Sequence, residues 1–381
     1  MNIAVNTRLL RKNRLDGIGW FTYETLSRIT RKHEEHQFHF IFDHAPDPDF
    51  MFAPNIVPHV LFPPARHPFL YPLWFEISIP FLLKKIQADL FLSPDGYLSL
   101  SSHIPTVAVI HDLNFEHNPE HLPALVRKYY TFFFPKFAEK AHRIATVSQF
   151  SAADITERYH IPVEKIDVVY NGASEVFRPL DPSAISAVRK KYTSGFPYLI
   201  MVGSLHPRKN IANQLLAFDL FRSSNSRPCK FVIAGEKMWW TADLRVAFEN
   251  MKHRNDVIFT GRLSQNELHQ LLGASLALSY VSFFEGFGIP ILEAFSSGTA
   301  VITSNTTSMP EVAGNAALYA DPHSIDDIAD AYKTIYENHE LRNKLIEMGQ
   351  DRCQLFSWDK TAEKLWDSIL KTGLISHRQE M

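Results

Sequence analysis

The sequence predicts an α/β protein built from two doubly wound domains. Three observations carry this. Short apolar runs rich in β-branched residues alternate with longer amphipathic stretches, the alternation runs through the chain twice, and 381 residues suffice for two domains of ordinary size. Strands of four to six residues separated by helices form βαβ units, and these close into parallel sheets. In the first half, strands are expected at Asn2–Val5, Phe38–Phe42, Ala88–Leu92, Thr106–Ile110, Ile144–Val147 and Asp167–Tyr170, with helices at Trp20–Arg31 and Leu125–Lys140. In the second half, strands are expected at Tyr198–Val202, Phe231–Ala234, Val257–Phe259, Leu276–Tyr280 and Ala300–Thr303, with helices at Asn210–Phe221, Gln265–Gly273 and Pro290–Ser297. The two series join near Asn171–Pro197, where Phe177-Arg-Pro-Leu-Asp-Pro182 interrupts the pattern with two prolines. The expected domains are residues 1–175 and 195–357. Trp358–Lys371 reads as one amphipathic helix, and the segment 358–381 is assigned to the first domain.

Composition excludes several classes. Apolar residues at 45% and charged residues at 21% fit a globular chain and rule out disorder or a fibrous repeat. A formal net charge of -2 offers no basic face for nucleic acid. Two cysteines, Cys229 and Cys353, are too few for a disulfide framework and point to a reducing compartment. The N-terminal MNIAVNTRLLRKNR lacks the apolar core of a signal peptide. Pro68–Leu83, the nearest candidate for a span, carries three prolines and Glu76, so no membrane span is expected. The expected location is the cytoplasm, with peripheral attachment to the inner face of the membrane as the alternative. That alternative rests on the aromatic-rich stretches Phe69–Phe75 and Tyr129–Phe134, whose default reading is packing in a core or between domains.

Four segments could carry chemistry. Ser282-Phe-Phe-Glu-Gly-Phe-Gly-Ile-Pro-Ile-Leu-Glu293 follows an apolar strand, so Glu285 falls at a strand's carboxyl end, where open α/β sheets bind ligands. Gly286 and Gly288 let backbone approach a ligand, and Pro290 suits the first turn of a helix whose N-terminus attracts an anion. Glu293 lies one turn further in, where a carboxylate can accept hydrogen bonds from hydroxyl groups. Val202-Gly-Ser-Leu-His-Pro-Arg-Lys-Asn210 joins a glycine turn, the adjacent cations Arg208 and Lys209, and a helix start, a diphosphate site by charge and geometry. Thr106-Val-Ala-Val-Ile-His-Asp-Leu113 sets His111 at another strand's carboxyl end, facing the cleft between domains, with Asp112 orienting it or capping the turn. Asp16-Gly-Ile-Gly19 reads as a glycine loop before the Trp20–Arg31 helix. It lacks the full G-x-G-x-x-G and the later acidic residue of a dinucleotide fold.

Glu285 and Glu293 form an E-x7-E pattern, followed by Ala294-Phe-Ser-Ser-Gly-Thr-Ala-Val-Ile302 and Met309-Pro-Glu-Val-Ala-Gly314. In this setting the chain resembles the retaining glycosyltransferases of family 4, over most of its length, most strongly in Leu199–Pro322 and least in Asp43–Lys85. The resemblance implies the GT-B fold: two Rossmann-like domains facing across a cleft, with the C-terminal helix crossing back to the first. It implies that Lys209 binds the donor diphosphate. Many members carry arginine where this chain has Ser204, after Gly203, and Arg208 would supply that second charge. His111 would lie beside the donor sugar, and Gly17 and Gly19 near phosphate and acceptor. Arg262, after Gly261, would meet the nucleotide base. Glu285 would hold sugar hydroxyls and Glu293 the ribose, with Gly286, Phe287, Gly288 and Ile289 forming the turn around the donor.

The expected function is therefore retaining transfer of a sugar, mannose from GDP-mannose, to a glycan or lipid-linked saccharide. The nucleotide-sugar is a substrate, and neither a cofactor nor a metal is expected. Asp47-Pro-Asp49 is formally a D-x-D metal pattern but sits among prolines and reads as a surface turn. Two rivals remain at this level: a nucleotide-sugar epimerase of the same fold, and a non-catalytic nucleotide-sugar-binding subunit.

Overall fold

The computed structural model describes residues 1–65, 67–224, 227–236 and 240–379. The chain divides into two units, Met1–Asn171 together with Trp358–Met381, and Gly172–Ser357. Residues 380 and 381, included in the expected C-terminal segment, lie outside the described residues.

In the first unit, β1 (Asn2–Asn6), β2 (Gln37–Phe42), β3 (Ile56–Val60), β4 (Leu90–Ser93), β5 (Thr106–Val109), β6 (Arg143–Thr146) and β7 (Ile166–Val168) form one sheet. Its order is β3-β2-β1-β4-β5-β6-β7, and every pairing is parallel, as in Ile3 opposite Phe38 and Val5 opposite Leu92. The strand β4, Leu-Phe-Leu-Ser, and β5 are buried along their whole length, as strands covered on both faces must be. Trp74, Phe75, Phe91 and Phe137 fill the core on one side of this sheet. The C-terminal helix Trp358–Gln379 belongs to this unit. It pairs with the helix Gly17–Lys32 through Arg28–Asp359 at 2.6 Å and Lys32–Glu363 at 2.7 Å, and Trp366 stacks on His33.

In the second unit, β8 (Tyr198–Val202), β9 (Lys230–Ala234), β10 (Val257–Gly261), β11 (Ala277–Tyr280), β12 (Ala300–Ser304) and β13 (Leu318–Ala320) form a second parallel sheet, ordered β10-β9-β8-β11-β12-β13. The strand order reverses between β8 and β11 here, and between β1 and β4 in the first unit. At such a reversal the connections leave in opposite directions and open a crevice beyond the strand ends.

Every expected strand is present, within two residues at either end. The two unexpected ones, β3 and β13, are sheet edges. Pro58 argues against a strand in a sheet interior, but an edge strand can spare its N–H. The stretch expected as a join contains the helix Pro182–Thr193. Asp181 caps it by accepting from the Ala184 N–H at 2.8 Å, and Pro182 occupies its first turn, so one of the supposed breakers starts a helix. A helical run from Tyr71 to Lys85 was likewise hidden by Pro72 and Pro80. Each proline sits in the first turn of a short α segment, and the π turn Trp74–Ser78 separates them. No helix among the described residues is long and apolar enough to cross a membrane.

Candidate active site

The second unit brings Gly203, Ser204, Arg208, Lys209 and the segment Glu285–Glu293 to the reversal between β8 and β11. Gly203 leaves β8 with φ +139°, and a Cβ there would come within 3.2 Å of the Lys209 side chain, so glycine lets the lysine fold back under its own loop. The turn Pro207–Lys209 then presents both cations, and Asn210 ends it in the left-handed region with φ +57°. The Asn210 amide donates to the carbonyls of Val281 (3.0 Å) and Pro322 (2.7 Å), which ties this loop to the one after β11. The Phe283 N–H donates to the Arg208 carbonyl at 2.8 Å and closes the same seam.

Between the two loops lies a buried charge cluster. The Lys209 ammonium donates to Glu285 Oε1 at 2.5 Å and to the Tyr280 hydroxyl at 2.6 Å. The Arg208 guanidinium donates to the other oxygen of Glu285 and to the Phe284 carbonyl. Glu285 is 5% exposed and Lys209 6%. Burial alone would push the Glu285 carboxyl up. The two cations more than reverse this and hold it down at about 2. The Tyr280 phenol, buried beside that carboxylate, is raised well above its ordinary value. Two cations against one carboxylate leave a net positive group at the strand ends.

Glu293 sits in the helix Ile289–Ser296, whose N-cap Gly288 (φ +98°) brings no side chain to the first turn. Burial raises its carboxyl to about 7, with no cation among the described residues to oppose it. The two glutamates of one motif are thus shifted in opposite directions, because one has cations beside it and the other has none. Phe287 is buried and Ile289 partly so. The Ser308 hydroxyl donates to the carbonyls of Glu285 (2.9 Å) and Phe287 (3.2 Å), so Gly286 lies within a turn held at both sides. Ser204 follows Gly203 and is partly buried. Arg262 is exposed at the end of β10, separated from β8 by β9. It stands at the same sheet edge but outside the charge cluster.

One expectation in the first unit needs correction. Gly17 and Gly19 do not form a loop: the helix begins at Gly17, and both glycines are in its first turn. The Asp16 carboxylate accepts from the Gly19 N–H at 2.9 Å and occupies that helix end as a cap. His111, just past β5, has its Nε2 2.8 Å from the Pro94 carbonyl, so Nε2 carries the hydrogen and donates. Burial lowers its pKa, and the imidazole is neutral at pH 7. Asp112 accepts from the Asn114 N–H at 3.0 Å and so caps the turn. Asp47 and Asp49 pair with Lys12 in the turn before Phe50.

Sequence reading missed Tyr280, Ser308 and Gly235. Tyr280 looked like one more strand residue. Gly235, just after β9, lies so near Gly203 that a Cβ would meet its carbonyl oxygen at 1.8 Å. Two cavities, about 450 Å³ around His117, Asp154 and Arg158 and about 330 Å³ around Arg11, Lys12 and His44, lie in the first unit. The first sets the carboxylates of Glu116, Asp154 and Glu157 against Arg158, with His117 hydrogen-bonded to Asp154 at 2.9 Å. The second sets Arg11, Lys12 and Arg14 against Asp47, which Lys12 approaches at 3.5 Å.

Residues 15–175 match the family described as Glycosyltransferase Family 4, and residues 186–352 match Glycosyl transferases group 1. The chain is 30% identical over 254 residues to O-antigen chain mannosyltransferase B of Escherichia coli, covering 66% of this chain and 67% of that one. It is 28% identical to the serotype-specific mannosyltransferase WbdA of the same organism, over 72% of this chain but about a third (34%) of WbdA. Among solved structures, sucrose-phosphate synthase from Thermosynechococcus elongatus superimposes with a TM-score of 0.77 at 16% identity, covering 99% of this chain and 100% of that one. WaaG, a glycosyltransferase involved in lipopolysaccharide biosynthesis, superimposes with a TM-score of 0.75 at 17% identity, covering 96% and 98%. At these identities the structures speak for the shared two-sheet fold.

Proposed function

The chain belongs to the glycosyltransferases of family 4, and from that membership we propose that it transfers mannose from GDP-mannose to a saccharide acceptor, free or lipid-linked, with retention at the anomeric carbon and without a metal. The observation that carries the reading is the net positive cluster of Arg208, Lys209 and Glu285 at the β8/β11 reversal. Breaking the bond between the sugar and the diphosphate leaves its electron pair on the phosphate oxygen and positive charge on the sugar ring. Arg208 and Lys209 stabilise the departing diphosphate, aided by the N-terminus of the helix Ile289–Ser296, which takes over the task a divalent cation has elsewhere. Glu285 orients the two cations and keeps them charged. The acceptor hydroxyl attacks from the face the diphosphate leaves, and its proton passes to the departing phosphate oxygen. Glu293 receives the ribose hydroxyls. His111, as a neutral imidazole whose Nε2 hydrogen is held by the Pro94 carbonyl, takes no part in proton transfer through Nε2. Mannose is supported by the names of the E. coli relatives.

The test is incubation with a panel of nucleotide-hexoses and a saccharide acceptor, with the anomeric configuration of the product read by NMR. α-Mannoside formed from GDP-mannose, an α-linked donor, supports the whole reading. Transfer from another donor overturns mannose alone, and an inverted product overturns retention.

A further inference from the structure

We propose that the first unit docks on the surface of an anionic lipid bilayer through the outer face of the helical run from Tyr71 to Lys85 and the loop pinned to it. Leu73, Ile77 and Phe81 recur every four residues and are 44%, 60% and 73% exposed. On the opposite side of the same run, Trp74, Phe75, Ile79, Leu82 and Leu83 are buried in the core. A helix on a protein surface is ordinarily apolar on one face and polar on the other. This one is apolar on both, and the core accounts for only one. The Ser78 hydroxyl donates to the Phe62 carbonyl at 2.7 Å and brings Phe62, 72% exposed, to the same helix, while Phe69, 68% exposed, leads into it. Single exposed apolar residues need no explanation, but five on one helix and its attached loop do.

Charge selects the occupant. Between Met51 and Ala88 the only acidic residue is Glu76. Its carboxylate accepts from the N–H groups of Leu100 and Ser101, each at 2.9 Å, and so is committed to the protein. The run ends in the exposed pair Lys84 and Lys85. Tyr71 packs edge-on against Tyr129 at 5.3 Å, which joins this surface to the helix Ala124–Lys140. That helix turns Leu125, Lys128, Phe132 and Lys136 outward, with the Lys136 ammonium 3.4 Å from the centre of the Phe132 ring. Apolar side chains rimmed by lysines match lipid acyl chains beneath anionic headgroups. A second copy of the same face would set lysines against lysines. The run is too short to span a bilayer: its 15 residues cover about 22 Å at 1.5 Å each, against a hydrocarbon core of about 30 Å. It therefore lies in the plane of the interface. This inference does not depend on the donor assignment.

Flotation of the purified chain with vesicles tests it. Wild type should float with phosphatidylcholine/phosphatidylglycerol vesicles and float less with phosphatidylcholine alone or at high salt. Ile77→Ser/Phe81→Ser should lower the partition coefficient at least tenfold with an unchanged unfolding temperature. Lys84→Glu/Lys85→Glu should lower it at least tenfold on the anionic vesicles only, from about fivefold for each lysine lost. Wild type that stays in the dense fraction with anionic vesicles, or apolar variants that float like wild type, would overturn the proposal. A concentration-dependent dimer that the Ile77→Ser/Phe81→Ser change abolishes would overturn it too, and assign the face to a second copy of the chain.

Discussion

Replacing Glu285 by glutamine keeps the shape of the side chain and removes one charge from between two buried cations. An ordinary glutamate titrates near 4.5, and this one is held at about 2. At about 1.36 kcal/mol for each pKa step, that difference is worth about 3 kcal/mol. The residue is 5% exposed, so water screens little of it. Because the folded pKa lies below the unfolded one, the stabilisation is complete above pH 4.5 and is lost as pH falls toward 2. Glutamine also turns N–H donors toward Arg208 or Lys209, which are donors themselves. Glu285→Gln should therefore lower the unfolding temperature of the second unit by roughly 6–12 °C at pH 7. The gap between wild type and variant should shrink to about half by pH 3. Differential scanning calorimetry at both pH values measures this. The same change leaves two cations with no carboxylate competing for them, so GDP should bind the variant at least as tightly as wild type while turnover falls. Equal unfolding temperatures at pH 7, or a gap that does not narrow on acidification, would refute the assigned coupling. GDP binding weakened tenfold would show that Glu285 holds the ligand itself.

The remaining expectations use simpler readouts. Lys209→Ala should weaken GDP binding and slow transfer by roughly ten- to a hundredfold, the cost of about 1.5–3 kcal/mol for a lost charge-assisted hydrogen bond; wild-type kinetics would remove Lys209 from the site. Glu293, raised to about 7, favours the folded state while protonated, and that contribution is lost as pH rises from 4.5 through 7. Glu293→Gln should accordingly be stabilising at pH 8, by about 1–3 kcal/mol, and close to neutral at pH 4.5, as thermal unfolding would report. It should also raise KM for the donor more than it lowers kcat, since the ribose does not react. Gly235→Ala should cost about 3 kcal/mol or more, because its Cβ would overlap the Gly203 carbonyl oxygen; a denaturant midpoint like wild type's would contradict the tight approach. Transfer should survive excess chelator and the double change Asp47→Ala/Asp49→Ala; activity lost to chelator and restored by manganese would end the metal-free reading.

How much was legible without coordinates follows from the range of the forces involved. Parallel strands buried on both faces must be continuously apolar, so β1, β4, β5, β8 and β11 could be read locally, and the motif residues after β8 and β11 with them. Proline misled in both directions, because whether it breaks or begins a helix depends on its position in the turn, as Pro182 and Pro80 show. The sequence by itself determined that this chain folds as two parallel-sheet units carrying a family 4 glycosyltransferase motif, since periodicity and short motifs are local properties. Only the tertiary structure decided the charge states within that motif. Glu285 and Glu293 are the same residue type on one short segment, yet one is ionised down to pH 2 and the other titrates near neutrality. The difference comes from Lys209 and Arg208, which lie 76 and 77 positions away in the chain and within hydrogen-bond reach of Glu285 alone, because β8 and β11 are neighbours in the sheet.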